Sequence, residues 1–140
     1  MYLLDTNVLS ELRKKDAAPA VVEWIAARDA TELFVSVMTI FEIELGVRRI
    51  ERRDGVQGAR LRAWLDGAVL DAFRGRILPL DIAVARRTAE LHVPDPRAER
   101  DSWIAATALT HDLTLVTRNV RDFDGVGGLA IIDPWRASGR

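Results

Sequence analysis

Four acidic residues lie near points where the sequence predicts a strand to end or a helix to begin: Asp5, Glu42, Asp101 and Asp122. Asp5 directly follows the apolar segment 2–4, and Asp122 lies shortly after the apolar segment 115–117. In open α/β sheets, ligands bind in the crevice outside the carboxyl ends of the strands. We therefore expect the four side chains to converge on one cleft.

Each acidic residue also has a purely structural interpretation. Asp, Thr and Asn are all good helix N-caps, so Asp5 and its two successors could simply cap the helix that follows. Thr39 and Glu42 have the spacing of a capping box, in which the glutamate bonds back to the backbone of the cap residue. Asp101 similarly opens a predicted helix. The sequence alone therefore leaves capping and chemistry as alternatives at each position.

Converging carboxylates repel one another, and a divalent cation would relieve that repulsion. Hard oxygen ligands favour Mg²⁺ or Mn²⁺. The chain has no cysteine, which excludes a thiolate zinc site, and its two histidines, His92 and His111, are expected at surface or cap positions. The glycine-rich segment 125–128 does not follow a strand–helix junction, so we interpret it as a loop rather than a phosphate-binding motif.

The elements that must position these residues alternate along the chain. Strands are predicted at 2–4, 33–37, 77–80, 115–117 and 129–132. Helices are predicted between them, with a helical hairpin formed by residues 39–53 and by a second helix after a break at 54–58. Such alternation predicts an α/β fold with a parallel sheet and helices on both faces.

Composition is consistent with this fold without selecting a function. A chain of 140 residues is expected to form a single domain spanning 1–140, and its 49% hydrophobic and 29% charged residues are typical of a globular protein. No apolar stretch approaches the ~20 residues that span a bilayer. The apolar start meets Asp5 at once, which is unlike a signal peptide, so we expect a cytoplasmic protein.

The net charge of −1 is unusual for a protein that acts on nucleic acid. Arginines are nevertheless concentrated between positions 48 and 62, at Arg48, Arg49, Arg52, Arg53, Arg60 and Arg62. They form either a solvated helix face or a phosphate-binding rim beside the acidic cleft. Both interpretations remain open on the sequence.

Four segments, in this order, resemble the PIN-domain nucleases, and in particular the VapC toxins of type II toxin–antitoxin systems and their FitB-like branch. They are LDTNVLSE at 4–11, Thr39-x-x-Glu42-x-x-x-Gly46, Asp101-x-x-Ile104-Ala105-Ala106 and Thr117-Arg118-Asn119-x-x-Asp122-Phe123. The resemblance covers nearly the whole chain. It implies a three-layer α/β/α sandwich with a central, mainly parallel sheet of four to five strands and a helical hairpin insertion.

The resemblance also implies a metal-dependent endoribonuclease that uses Mg²⁺, with Mn²⁺ as a substitute. Asp5, Glu42 and Asp101 would bind the principal metal ion. The fourth ligand would be Asp122 or Asn119, of which only Asp122 carries a full negative charge. In addition, Thr6 would hold a metal-bound water or phosphate, and Thr117 would orient a carboxylate.

By the same resemblance, the substrate is RNA, either tRNA or rRNA, and the partner is a VapB-like or FitA-like antitoxin. A homodimer is expected, with DNA contacted only through the antitoxin and with no membrane association. The alternative is a catalytically silent module of the same fold that binds an antitoxin or nucleic acid without cleavage. A haloacid-dehalogenase-like phosphatase is disfavoured because it requires Asp-x-Asp, and this chain has Asn7 at the second position.

Overall fold

The computed structural model describes residues 1–136, and strands and helices alternate along them as predicted. The strands are β1 (Tyr2–Leu4), β2 (Leu33–Ser36), β3 (Ile77–Leu78), β4 (Thr114–Val116) and β5 (Ile131–Ile132). The helices are α1 (Thr6–Arg13), α2 (Pro19–Ala26), α3 (Val37–Arg53), α4 (Gly55–Ala63), α5 (Leu70–Ala72), α6 (Ile82–Leu91) and α7 (Glu99–Thr110). A π-helical turn, Trp64–Val69, joins α4 to α5.

The strands form one sheet in the order β3-β2-β1-β4-β5, and every neighbouring pair is parallel. The central strand, β1, pairs with β2 on one side and with β4 on the other. All five carboxyl ends therefore lie along the same edge of the sheet. The predicted parallel α/β architecture is confirmed, and the edge is where the acidic residues were expected.

Helices cover both faces of the sheet because β1 buries alternate side chains on opposite sides. Leu4 packs in one apolar cluster with Val8 of α1 and Ile43 of α3. Leu3 packs in a second cluster with Ile104 of α7. The predicted three-layer arrangement is thus confirmed, and none of the described helices is long and apolar enough to cross a membrane.

Two strands, β3 and β5, are two residues shorter in the structure than in the prediction. β3 ends at Leu78, two residues before the predicted end, because Pro79 has no N–H to continue the ladder. β5 begins only at Ile131, after a turn in which Gly128 adopts a φ of +80°.

The predicted break at 54–58 is confined to Asp54, because α3 ends at Arg53 and α4 begins at Gly55. Asp54 ends one helix and caps the next, accepting a hydrogen bond from the Gln57 backbone N–H at 3.0 Å. Arg62 of α4 stabilises the resulting hairpin. Its guanidinium donates hydrogen bonds to both carboxylate oxygens of Glu44 at 2.8 Å and to Glu51 at 3.0 Å.

Gly58 is the point of closest approach between the two helices of the hairpin. A methyl group there would lie 2.7 Å from the Cα atom of Glu51, whereas one at Gly46 would have no heavy atom within 4 Å. Replacing glycine by alanine within a helix normally stabilises it by about 0.5–1 kcal/mol. The space around each glycine therefore decides whether its replacement by alanine stabilises or destabilises the protein.

We predict that Gly58→Ala lowers the free energy of unfolding by about 1–3 kcal/mol, because the new methyl group overlaps the backbone of α3. The matched variant Gly46→Ala should raise the free energy of unfolding by about 0.5–1 kcal/mol. Urea denaturation followed by circular dichroism measures both. Equal stabilisation by the two variants would contradict the close contact at Gly58.

Candidate active site

Asp5 lies at the junction of β1 and α1, and 5% of its surface is exposed. Its Oδ1 atom accepts a hydrogen bond from the Thr6 backbone N–H at 2.7 Å, so the predicted capping role is real. Its Oδ2 atom accepts a hydrogen bond from the Thr117 hydroxyl at 2.8 Å. Capping therefore accounts for one oxygen only, and the other is oriented by a residue 112 positions away.

Asn7 connects the start of α1 to the segment after β4. Its side-chain amide lies 3.2 Å from the Thr117 hydroxyl and 3.4 Å from Oδ2 of Asp5. Its side-chain oxygen accepts a hydrogen bond from the Arg118 backbone N–H at 3.2 Å. The sequence analysis did not include Asn7 among the site residues. Its position two residues after Asp5 was the available signal, because a short amide there can bridge to the neighbouring strand end.

The capping-box interpretation of Thr39 and Glu42 was wrong. α3 begins at Val37, and its cap is Ser36, whose hydroxyl accepts a hydrogen bond from the Met38 backbone N–H at 2.9 Å. Glu42 instead lies in the second turn of the helix. Its carboxylate is therefore not needed to complete the helix end.

Glu42 is oriented by hydroxyl groups from a different part of the chain. The Thr6 hydroxyl donates to its Oε1 atom at 2.6 Å, and the buried Thr39 hydroxyl lies 3.2 Å from that of Thr6. Thr6 follows Asp5 directly, so this bond joins the second predicted ligand to the first.

Asp101 lies in the first turn of α7 rather than opening it, because the helix starts at Glu99. Burial raises the pKa of its carboxyl to about 6, and the negative charges of Asp5, Asp122 and Glu42 add to that increase. A charged carboxylate changes the pKa of another carboxyl group appreciably only when the two groups are close to each other. Asp101 therefore belongs to the same cluster as the other three carboxylates.

Asp5 experiences the same environment. Burial raises its pKa, the hydrogen bonds from Thr117 and Thr6 oppose the increase, and the charges of Glu42 and Asp122 add to it. The structure therefore brings together all four predicted acids, Asp5, Glu42, Asp101 and Asp122, which we call the acid cluster. Within residues 1–136, no group of three or more acidic or histidine side chains has the spacing needed to hold a metal ion.

Asp122 and Asn119 occupy a short 3₁₀ turn after β4 and its cap. The charge of Asp122 acts on both Asp5 and Asp101, and its side chain borders a small cavity together with that of Asp101. The Asn119 backbone N–H donates to the Thr117 hydroxyl at 3.1 Å. Electrostatically, Asp122 is therefore the member of this turn that belongs to the acid cluster.

Arg100 is the cation nearest to the cluster among the ion pairs of the described residues. Its guanidinium lies 3.9 Å from Oε2 of Glu42 and 5.2 Å from the centre of the Phe41 ring. One half-exposed arginine at this distance offsets only part of the charge of four carboxylates. The cluster retains an excess of negative charge.

A cavity of about 340 Å³ adjoins Glu42 and Thr6 on the side of the hairpin. Arg49 and Arg53 line it, whereas Arg48 and Arg62 form ion pairs with Glu44. The arginine-rich segment is therefore divided between two roles. Arg49 and Arg53 lie beside the site, whereas Arg48 and Arg62 form ion pairs within the hairpin.

The two histidines and Asp81 lie at helix ends. His92 ends α6 and accepts a hydrogen bond from the Arg97 backbone N–H at 3.1 Å, and His111 ends α7. Asp81 caps α6 through the Val84 backbone N–H at 3.0 Å. These positions contribute no side chain to the acid cluster.

Comparisons with known proteins agree with the fold and the motifs. A family model described as the PIN domain matches residues 2–129. The chain is 36% identical to the VapC ribonuclease Y4jK of Sinorhizobium fredii, over 96% of this chain and 98% of that protein. It is also 36% identical to toxin FitB of Neisseria gonorrhoeae, over 96% of this chain and 99% of that protein. A chain in the crystal structure of FitAcB from Neisseria gonorrhoeae superimposes with a TM-score of 0.88 at 34% identity, over 97% of this chain and 99% of that one.

The raised pKa of Asp101 predicts how stability depends on pH without metal. The folded chain keeps a proton up to about pH 6, whereas the unfolded chain loses it near pH 4. The native state therefore binds more protons in this window, so stability falls as pH rises through it. In EDTA, Asp101→Asn should weaken this loss and raise the melting temperature at pH 7.

The matched control is Asp95→Asn, which removes one charge from an exposed loop position. The melting temperature of Asp95→Asn should fall between pH 4 and pH 7 by as much as that of the wild type. Identical pH profiles for wild type and Asp101→Asn would contradict the electrostatic coupling within the acid cluster.

Proposed function

This chain belongs to the PIN-domain family, and we propose that it is the toxin of a toxin–antitoxin pair that cleaves RNA as a metal-dependent endoribonuclease. The observation that carries the proposal is the convergence of four carboxylates on one edge of the sheet, where burial, together with the charges of neighbouring acids, raises the pKa values of Asp5 and Asp101. A ribonuclease and a toxin among its relatives support the same activity.

The donor set fits a divalent cation. Asp5, Glu42, Asp101 and Asp122 offer only oxygen atoms, which suit Mg²⁺, with Mn²⁺ as a substitute. The mutual repulsion of the carboxylates is the electrostatic condition that a cation relieves. Once bound, such a metal supplies an activated water and stabilises the phosphate and the leaving oxygen.

The remaining residues of the site hold these carboxylates in place. Thr117 donates to Asp5 while it accepts hydrogen bonds from Asn7 and from the Asn119 backbone, so its hydroxyl is fully engaged. The Thr6 hydroxyl donates a hydrogen bond to the Glu42 carboxylate. We propose that both threonines orient carboxylates. For Thr6, we propose this orienting role instead of the expected contact with a metal-bound water or a phosphate.

RNA is the substrate class that the surroundings favour. The anionic acid cluster cannot attract a phosphodiester by itself, but cations stand at its border. Arg49 and Arg53 line the cavity next to Glu42, and Arg100 lies beside the same carboxylate. Arginine matches the geometry of phosphate oxygens well. We propose the cytoplasm as the site of action and tRNA or rRNA as the target.

The role of Glu42 can be tested by one isosteric change. In Glu42→Gln the side-chain oxygen can still accept the Thr6 hydroxyl, so folding should remain close to normal. The charge needed to bind a metal is lost, and cleavage of RNA should fall more than about 100-fold, beyond the usual cost of losing an outer partner alone. The Mn²⁺-induced rise in melting temperature should also shrink.

The control for this test is Glu23→Gln, the same substitution at an exposed position of α2. It should retain both wild-type cleavage and the wild-type response to Mn²⁺. Substantial RNA cleavage by homogeneous Glu42→Gln protein would rule out a ligand role for this residue.

We also propose that the chain forms a homodimer and that a cognate antitoxin blocks its site, with DNA contacted only through the antitoxin. A structural relative, 27% identical to this chain, was solved in a toxin–antitoxin complex from Klebsiella pneumoniae, which supports an antitoxin as partner. Sedimentation velocity at micromolar concentration should give twice the mass of the chain. Addition of the antitoxin should suppress RNA cleavage. A monomer whose activity ignores the antitoxin would contradict the assembly.

A further inference from the structure

A third cavity adjoins the acid cluster at the carboxyl ends of β4 and β5. Its volume is about 600 Å³, and we call it the arginine cavity. Its polar lining consists of Arg118, Asn119, Arg121, Asp122, Asp133 and Arg136. Because Asp122 belongs both to this lining and to the acid cluster, a ligand in the cavity would extend directly towards the four carboxylates.

Arg118 is held in place from two directions. Its backbone N–H donates to the side-chain oxygen of Asn7 at 3.2 Å, and its guanidinium carbon lies 5.0 Å from the centre of the Trp135 ring. Stacking of the planar guanidinium on an aromatic face limits its motion. A fixed positive charge therefore stands one residue after Thr117, the hydrogen-bond partner of Asp5.

The charges of the arginine cavity do not cancel. Asp133 accepts a hydrogen bond from the Trp135 backbone N–H at 3.0 Å and lies 3.7 Å from Nε of Arg136, so these two charges are paired. Over residues 1–136, no carboxylate oxygen lies within 4 Å of a guanidinium nitrogen of Arg118 or Arg121. Two exposed cations are therefore available to a ligand.

We propose that the arginine cavity binds the phosphodiester backbone of the RNA strand next to the bond that is cut. This inference rests on the proposed ribonuclease function and adds a substrate subsite to it. Guanidinium groups form paired, charge-assisted hydrogen bonds with phosphate oxygens. The volume lies within the roughly 300–1,000 Å³ of sites that hold small ligands, so it suits a nucleotide unit rather than a single ion.

The neighbouring acid cluster favours RNA over an acidic peptide. A peptide carboxylate that extended from the cavity would meet four carboxylates and would gain nothing from them. A phosphodiester strand, in contrast, must cross the acid cluster to be cleaved, and its flanking phosphates need cations outside the cluster. Arg118 and Arg121 lie beside the cluster and outside its set of carboxylates.

Hydrogen bonds to flanking phosphates form equally in the ground state and in the transition state. Their removal should therefore raise KM and leave kcat nearly unchanged. A residue that acts only by supporting Asp5 or Asp122 would lower kcat instead. This difference separates a binding role from a structural one.

The test uses Arg121→Ala, Arg118→Ala and Arg118→Lys in the full chain. The probe is a short single-stranded 2′-O-methyl RNA, which cannot be cleaved, bound in EDTA and again in Ca²⁺ over a range of salt concentrations. Each alanine variant should bind about five- to tenfold more weakly. The slope of log K against log salt should fall by about 0.7 for each phosphate that the variant no longer neutralises.

Arg118→Lys should keep the salt slope and still bind more weakly than the wild type, because lysine retains the charge and lacks the planar fork. The matched control is Arg87→Ala on α6, another exposed arginine, which lies 3.5 Å from the Glu90 carboxylate. It should bind RNA as the wild type does. If Arg118→Ala fails to fold, Arg121→Ala decides the outcome.

The results separate the subsite from the proposed function. If the wild type cleaves RNA and both alanine variants keep its KM and salt slope, the subsite is wrong and the function stands. If the alanine variants weaken RNA binding but no metal supports cleavage by the wild type, the subsite stands and the function fails. No measurable RNA binding by the wild type in either buffer would overturn the subsite. Unchanged RNA binding together with reduced inhibition by the antitoxin would assign the cavity to the antitoxin instead.

Discussion

Electrostatic repulsion among Asp5, Glu42, Asp101 and Asp122 is the constraint around which the local structure is arranged. Neutral donors make the closest contacts with two of these groups: a hydroxyl and a backbone N–H contact Asp5, and a hydroxyl contacts Glu42. Neutral hydrogen bonds stabilise a carboxylate without cancelling its charge. The fold thus fixes the positions of the acids while keeping the charge that a metal requires.

The parallel sheet is what makes this arrangement possible. β1 lies at the centre, with Leu4 in register with Val116 of β4, so Asp5 and Thr117 leave the sheet side by side. Because β1 and β4 are adjacent strands, the side chains of Asp5 and Thr117 are close enough to form a hydrogen bond of 2.8 Å. An antiparallel neighbour would place its carboxyl end at the opposite edge. Strand direction therefore contributes to the site as much as the identity of the side chains.

The sequence could predict the elements and the acids because both depend on local patterns, such as the apolar run before Asp5. It could not predict the strand order, which depends on tertiary packing. The position of Asn7 two residues after Asp5 was visible in the sequence, but its bridge to Thr117 across the sheet edge depends on the pairing of β1 with β4. At α3 the pattern favoured Thr39 as the cap, although Ser36 lies where the strand ends and serves that role. Where two residues can cap one helix, the end of the preceding strand decides between them.

The net charge of −1 is the sum of nearly equal numbers of opposite charges, which the fold places in different regions. Arg62 neutralises glutamates in the hairpin, while Arg118 and Arg121 lie next to the acid cluster without a carboxylate within ion-pair distance among residues 1–136. A metal held by the acid cluster would lower its negative charge and would so reduce its repulsion of the phosphates of an RNA strand. Metal and RNA would therefore favour each other's binding, and thermodynamic linkage requires that this effect be reciprocal. Composition reports only the sum of the charges, whereas this coupling depends on their separation.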